Sequence, residues 1–187
     1  MKVFISILLT VAFLSLNPTF ALTAQKVQSS LTVRFADGVE IKVADWIFEY
    51  EFGSSNEPPT GLFYTPSYYK TNDFMLAISK TERGVTFTDE KRISPSQLKS
   101  IKFEYEYEIS LKKITIQFSD GQILEVDKPI LPKKLLSKEN YVFQEKLYLK
   151  GSAVINNRRG TFSKQLYPMF DEKDVKERIV EIDFDKK

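Results

Sequence analysis

"TVRFADGVEIKV", residues 32–43, decides the fold class of this chain, because a similar stretch, "TIQFSDGQILEV", recurs at residues 115–126. In both stretches, apolar and polar residues alternate on either side of an Asp-Gly pair. This pattern is typical of two antiparallel strands joined by a tight turn. The length of that turn fixes the register, and a slip of one residue would move every side chain to the other face of the sheet.

The Asp-Gly pairs predict three-residue turns. A turn of Asp37 and Gly38 alone would place apolar residues opposite charged ones, which a buried face does not tolerate. A turn that also includes Ala36 removes the conflict, and it needs a last residue with positive φ, which glycine adopts without strain. The same reasoning applies to Asp120 and Gly121, so we interpret all four as turn residues rather than as catalytic or calcium-binding ones. The apolar pairs predicted in this way are Phe35 with Val39, Val33 with Ile41, Leu31 with Val43, Ile116 with Leu124 and Ile114 with Val126.

Alternation of apolar and polar residues continues through most of the chain. Residues 101–111, "IKFEYEYEISL", alternate without interruption and predict one long half-buried strand, and residues 46–52 predict another. Helical periodicity is limited to one turn at 95–99 and one or two turns at 171–177. We therefore expect an all-β antiparallel protein, either a β-sandwich or two small packed β-sheets, with one or two short helical turns.

The repetition of the Asp-Gly hairpin suggests an internal duplication. "ERGVTF" at residues 82–87 resembles "RRGTF" at 158–162, and both follow an Asp-Gly hairpin in the same order. We expect two similar β halves, residues 25–111 and 112–187, packed together as one domain. Two repeats are too few for a solenoid, which needs at least three.

The first 24 residues have the layout of a secretory signal peptide. A positive charge at Lys2 precedes an apolar run over residues 3–16, and small residues offer cleavage after Ala21 or Ala24. The run is short for a bilayer span of about 20 residues. We therefore expect an exported protein of the periplasm or the cell surface, with no integral membrane segment after cleavage.

The composition excludes several classes of chemistry. The chain contains no cysteine and no histidine, so catalytic triads that use these residues, and their zinc or haem sites, are impossible. We expect no metal and no cofactor, and the formal net charge of +2 does not favour a nucleic-acid partner. An enzyme would depend on carboxylates, but Glu104, Glu106 and Glu108 alternate as a solvated strand face does.

Residues 52–73 differ from the rest of the first half. This stretch contains prolines, glycines and several aromatic residues, and we interpret it as a long loop. Its Phe63, Tyr64, Tyr68 and Tyr69 either cover one end of the core or form a binding surface for a protein or a glycan.

We expect a non-enzymatic binding or structural protein of the bacterial envelope or cell surface, which contacts another protein or an envelope component. The first alternative is a carbohydrate-binding module that uses the Tyr-rich loop at residues 61–69, and the second is a hydrolase that uses carboxylates alone. A glycan module predicts coplanar exposed rings, and a hydrolase predicts a pocket with two carboxylates about 5–10 Å apart. A scaffold predicts an apolar patch or an open sheet edge.

Overall fold

The structure is all-β, with antiparallel strands in one sheet of nine strands and a second sheet of two. The computed structural model describes residues 30–54, 65–106, 110–132, 142–155, 157–167 and 176–185. The predicted fold class is confirmed, and so is the predicted helical turn, a 3₁₀ helix at Pro95–Gln97. The strands are β1 (Ser30–Phe35), β2 (Glu40–Ser54), β3 (Thr65–Thr71), β4 (Phe74–Glu82), β5 (Val85–Ile93), β6 (Leu98–Glu106), β7 (Ser110–Phe118), β8 (Ile123–Asp127), β9 (Val142–Ile155), β10 (Arg158–Tyr167) and β11 (Ile179–Phe184).

The large sheet has the order β10-β9-β2-β1-β11-β6-β7-β8, and β3 adds to the edge of β2 beyond β1. β2 can serve both neighbours because it is 15 residues long, so its first part pairs with β1 and its last part with β3. The strands of residues 25–111 and those of residues 112–187 are interleaved in this order, and residues 111 and 112 both lie within β7. The division into two similar halves stays a prediction. The expected signal peptide, and most of the expected helical segment at 171–177, lie outside the described residues.

Both Asp-Gly turns have the geometry that the three-residue turn requires. Val33 pairs with Ile41 in the first hairpin, and Ile114 pairs with Val126 in the second, as the sequence predicts. The glycines have positive φ, +85° at Gly38 and +91° at Gly121. In each turn the aspartate carboxylate accepts a hydrogen bond from the backbone N–H two residues later, at 3.0 Å for Asp37 and 2.9 Å for Asp120.

The prediction of one long strand over residues 101–111 is wrong. β6 ends at Glu106 and β7 begins at Ser110, and the two strands pair antiparallel, with Tyr105 opposite Leu111. Residues directly opposite each other in an antiparallel pair share a face of the sheet. The alternation of apolar and polar residues therefore continues from β6 into β7. For this reason the sequence pattern does not show that the chain reverses direction between the two strands.

A β-bulge changes which residues of β2 point inward. Asp45 and Trp46 together lie opposite Gly151 of β9, and Asp45 has a φ of +50°. The buried positions consequently shift from odd-numbered residues such as Val43 to even-numbered ones such as Phe48. A Cβ atom at Gly151 would lie 2.6 Å from Cγ1 of Val43, so the bulge requires glycine on the partner strand.

The core lies between the large sheet and the base of the β4–β5 hairpin. The rings of Phe48 and Phe74 meet edge to face, with centroids 5.4 Å apart. The backbone N–H of Met75 donates a 2.6 Å hydrogen bond to the hydroxyl of Tyr50, and burial raises the pKa of that hydroxyl. The small sheet is thereby fixed at its base to the inner face of the large one.

Candidate functional site

The aromatic segment predicted as a binding loop is only partly a loop. Residues 65–71 form β3, which pairs with β2, and Phe63 and Tyr64 lie outside the described residues. β3 lies at an edge of the sheet, and proline, which has no backbone N–H, is accepted in edge strands such as this one, here at Pro66. Tyr68 and Tyr69 are therefore placed by strand geometry rather than by a loop.

Strand geometry separates the two tyrosines, because consecutive residues point to opposite faces. Tyr68 lies on the outer face of the large sheet and is 55% exposed. Tyr69 is partly buried against the core, where the guanidinium of Arg92 donates a 2.7 Å hydrogen bond to its hydroxyl. Tyr69 thus has a structural partner, and Tyr68 remains available for contact with a ligand.

The outer face beside Tyr68 is covered by ion pairs. Glu49 is buried and contacts Lys150 and, at 3.3 Å, the Nζ atom of Lys70, while Glu51 lies 3.6 Å from Lys146. Burial raises the pKa of Glu49, but the hydrogen bonds and charges of the two lysines together hold it below its ordinary value. A carboxylate stabilised in this way as an anion is a poor general acid.

A second tyrosine, Tyr148 of β9, lies on the same outer face as Tyr68. Tyr68 is opposite Glu51, and Glu49 is opposite both Lys70 and Tyr148, so the two rings are two strands and two residues apart. The Nζ atom of Lys150 lies 5.5 Å from the centroid of the Tyr148 ring, and burial, the largest influence, raises the pKa of Tyr148. The ring of Tyr148 is only partly accessible.

The β4–β5 hairpin leaves the core and extends into solvent. Its first residues, Phe74–Ala77, are buried, but every residue from 79 to 89 is exposed. The turn consists of Arg83 and Gly84, with φ of +51° and +79°, the conformation of a two-residue type I′ turn. This turn holds the ribbon in register beyond the point at which the core supports it.

Two large apolar side chains lie exposed near the tip of this hairpin. Val85 is 53% and Phe87 is 55% exposed, and alternation places them on one face. The second edge of β5 is paired with no other strand in the part of the chain that the structure describes. The sequence pattern of residues 82–87 predicts a strand that resembles residues 158–162, and it predicts no site there. The sequence does contain a signal for a projecting hairpin. The Arg83-Gly84 turn lies between strand residues that are mostly Ser, Thr and charged, as a ribbon without a buried face would have.

An open concave region of about 510 Å³ lies on the outer face near the bulge. Its two cations are already paired, Lys42 with Asp185 at 3.0 Å and Arg159 with Asp45 at 3.2 Å. The lining consists of Ser30, Lys42, Ala44, Ser152, Ala153, Val154 and Arg159. The described residues of this lining include no carboxylate, and the nearby Asp185 and Asp45 are ion-paired with its two cations, so these residues do not form the acid–base pair that a glycosidase needs.

Within the described ranges, no group of three or more acidic residues is arranged to hold a metal ion. No helix of the described residues is both long and apolar enough to cross a bilayer. Comparisons with protein-family models, with curated proteins and with solved structures found no match to the chain. A functional proposal therefore depends on the residues and the surface of this molecule.

Proposed function

We propose that this is an exported, non-enzymatic binding or structural protein of the bacterial envelope or cell surface, which contacts another protein through the tip of the β4–β5 hairpin. The observation that carries the proposal is the exposure of Val85 and Phe87 on a ribbon whose residues 79–89 are all exposed. The signal-like layout of residues 1–24 supports export.

The energetics of apolar burial favour a protein partner for this tip. Full burial of a Val or Phe side chain contributes about 1.5–3 kcal/mol, and neither residue has this burial in the structure. Aromatic residues are enriched among those that dominate binding energy at protein interfaces. A protruding ribbon can also enter a groove that the body of the protein could not reach.

A second candidate, carbohydrate binding, is favoured by the common face of Tyr68 and Tyr148. Aromatic rings on an open sheet face suit stacking against the apolar face of a sugar. Tyr68→Ala should then abolish retention on a polysaccharide column of peptidoglycan, with Phe87→Ala as the matched aromatic control. Unchanged retention of Tyr68→Ala would remove this candidate. A carboxylate-only hydrolase is not favoured. The buried carboxylates of the described residues are Glu49 and Glu181, and each is held in an ion pair with a lysine.

The protein-contact proposal is tested by affinity capture from the envelope fraction of a bacterium that produces the protein. The bait is the exported chain, and it is compared with a Val85→Ser/Phe87→Ser double variant. Ile123→Ser is the matched control, because Ile123 is 63% exposed on a different strand. Partners captured by the wild type are identified and then titrated against it in purified form.

We expect the double variant to lose the purified partner by at least tenfold in affinity, and the Ile123→Ser variant to retain it. Fluorescence of Trp46, the sole tryptophan, reports whether each bait is folded. Equal binding by the wild type and the folded double variant would show that the hairpin tip is not the contact surface.

A further inference from the structure

We propose that the open edge of β5 pairs with the β5 edge of a second copy of this chain, antiparallel, about a two-fold axis at Phe87. The inference rests on the proposed function, because it assigns a partner to the same hairpin. It concerns the strand edge, whereas the contact proposed above uses the face that bears Val85 and Phe87. Both contacts can therefore exist in one assembly.

The turn determines which backbone groups β5 offers at its open edge. A two-residue turn makes Glu82 and Val85 a hydrogen-bonded pair, and such pairs alternate with non-hydrogen-bonded ones along the hairpin. The N–H and C=O groups of Phe87 therefore point towards β4, and those of Thr86 and Thr88 point away from it. The side-chain oxygens of Thr81 and Thr86 are 3.2 Å apart, as the closer spacing of a non-hydrogen-bonded pair allows.

Symmetry limits the registers in which two β5 edges can pair. A two-fold axis between antiparallel neighbours runs perpendicular to the sheet, so the residue at the axis faces its own copy. The second half of β5 is "DEKR", residues 89–92. An axis at any of these four residues places a charge directly opposite an identical charge, which is destabilising. The charged base of the strand thus excludes full-length overlap and confines pairing to the distal half.

Within the distal half, the register centred on Phe87 fits best. It places Phe87 opposite Phe87 of the second copy, and Thr86 opposite Thr88, whose outward backbone groups can then exchange hydrogen bonds. Val85 comes opposite Asp89, so no like charges meet. An axis at Thr88 would instead place Phe87 opposite Asp89 and Val85 opposite Lys91, so both apolar residues would meet charges. An axis at Thr86 would overlap only residues 85–87 of each copy and form one hydrogen-bonded pair instead of two.

The paired hairpins would form a ribbon of four strands. Two-stranded hairpins are marginally stable in water, and three or more strands with an apolar face are more stable. One face would carry the two Phe87 rings and both Val85 side chains as a continuous apolar strip. The other face would carry hydroxyl groups of Ser79, Thr81, Thr86 and Thr88 from both copies. A two-fold contact of this kind closes as a dimer, because each edge satisfies the other.

The absence of cysteine from the sequence makes a crosslinking test specific. In the exported chain, Phe87→Cys puts one thiol at the axis, where residues opposite each other have Cβ atoms about 4.5–5.5 Å apart, near the span of a disulfide. Under mild oxidation we expect Phe87→Cys to form disulfide-linked dimers at least tenfold faster than Ile123→Cys. Ile123 is the control because it is also an exposed strand residue, at the open edge of β8.

Analytical ultracentrifugation supplies a readout that does not depend on a new thiol. The contact is smaller than a standard interface, so we expect the weight-average mass of the wild type to rise towards two chains between about 10 μM and 1 mM. Thr86→Pro removes an outward N–H but no bond to β4, and an edge strand accepts proline there. We expect this variant to stay at the mass of one chain while its Trp46 fluorescence remains native.

The inference is overturned if the wild type stays at one chain throughout this range and Phe87→Cys crosslinks no faster than Ile123→Cys. It is equally overturned if Thr86→Pro associates as the wild type does, because another surface then forms the dimer. Affinity capture with monomeric Thr86→Pro keeps the two proposals separate. If monomeric Thr86→Pro still captures the envelope partner, the partner contacts the face of the hairpin. If the wild type is itself monomeric and Thr86→Pro loses the partner, the edge of β5 pairs with a strand of that partner and not with a second copy, which overturns the inference.

Discussion

The hairpin of β1 and β2 and the hairpin of β4 and β5 are both tight reversals that contain glycine, but their surroundings are opposite. Each reverses at a glycine with positive φ, +85° at Gly38 and +79° at Gly84. The β1–β2 hairpin lies inside the large sheet, with β11 on one side and β9 on the other, and the inward side chains of β1 are buried. Among the described residues, the distal β4–β5 hairpin pairs only its own two strands, and its side chains are exposed.

This difference shows that turn chemistry fixes the local shape, while neighbouring strands decide whether a hairpin contributes to stability or to contact. Loss of a side chain from the β1–β2 hairpin should reduce the free energy of unfolding of the whole sheet. Loss of one from the distal β4–β5 hairpin should leave that free energy unchanged and alter association instead. Regions that unfold separately from the core are those with few buried apolar contacts.

The largest expected effect contrasts Leu31 with Phe87. Leu31 is fully buried between Val43 and Phe184, so Leu31→Ala should lower the free energy of unfolding by about 2–5 kcal/mol. Phe87→Ala removes more atoms but from an exposed site, and it should change this free energy by less than about 0.5 kcal/mol. Urea titration followed by Trp46 fluorescence, in dilute protein, measures both. Similar losses in the two variants would show that the distal hairpin is part of the cooperative unit.

The second contrast concerns two glycines on neighbouring strands, Gly151 and Gly160. A Cβ at Gly151 would lie 2.6 Å from Val43 and 2.8 Å from the carbonyl oxygen of Ala44, which is backbone and cannot rotate away. Gly151→Ala should therefore cost about 1–3 kcal/mol through strain at the bulge that ends the β1–β2 pairing. A Cβ at Gly160 meets nothing within 4 Å, so Gly160→Ala should be neutral or stabilise by up to about 1 kcal/mol. Equal urea midpoints for the two variants would contradict the strain at the bulge.

The bulge itself could have been predicted from the sequence. Inward apolar residues fall at odd positions up to Val43 and at even positions from Trp46 onwards. Strict alternation along one strand cannot change from odd to even without an extra residue, and Asp45 is that residue. The register of the two Asp-Gly hairpins was predictable for the same reason, since it depends only on residues close in sequence.

The features that escaped prediction depend on contacts between residues distant in sequence. Val85 and Phe87 alternate with threonines as in a strand with one buried face, and nothing local shows that no described element covers them. Tyr68 and Tyr69 are adjacent and aromatic, yet only β2 decides which of them faces the core. The exposed site at Val85 and Phe87 was therefore not predicted, and the binding role of Phe63, Tyr64, Tyr68 and Tyr69 stays a prediction.

A smaller effect compares the two turns directly. Alanine at positive φ costs roughly 1–2 kcal/mol, so Gly38→Ala should lower the free energy of unfolding by about 1 kcal/mol. Gly84→Ala meets the same local cost, but the distal hairpin can open by itself, so the urea midpoint should remain within error of the wild type. Hydrogen exchange should instead become faster at the amides of residues 79–89. A midpoint lowered equally by both variants would show that the two hairpins unfold together.

The smallest expected effect is an acid-sensitive contact beside the β1–β2 hairpin. The hydroxyl of Ser30 donates a 2.7 Å hydrogen bond to the carboxylate of Asp185, and Nζ of Lys42 lies 3.0 Å from the same oxygen. The Ser30 hydrogen bond, which is the largest influence, and Lys42 together lower the pKa of Asp185, against the opposing effect of burial. A carboxyl with a lowered folded pKa stabilises the protein above its unfolded pKa, and this contribution disappears as the pH falls through the folded value.

Asp185→Asn should therefore lower the free energy of unfolding by a few tenths of a kcal/mol at about pH 7, since the group is partly exposed, and by less at about pH 3, which is below the ordinary pKa of an aspartate. Asp89→Asn, on the exposed part of β5, is the matched substitution and should have a smaller effect at neutral pH. Urea titrations at the two pH values, followed by Trp46 fluorescence, measure both variants. If Asp185→Asn lowers the free energy of unfolding equally at both pH values, the charge of the carboxylate does not stabilise its contact with Ser30 and Lys42. If Asp89→Asn costs as much as Asp185→Asn at neutral pH, the ion pairs of the projecting hairpin contribute to global stability, and the contrast between the two hairpins is smaller than their burial indicates.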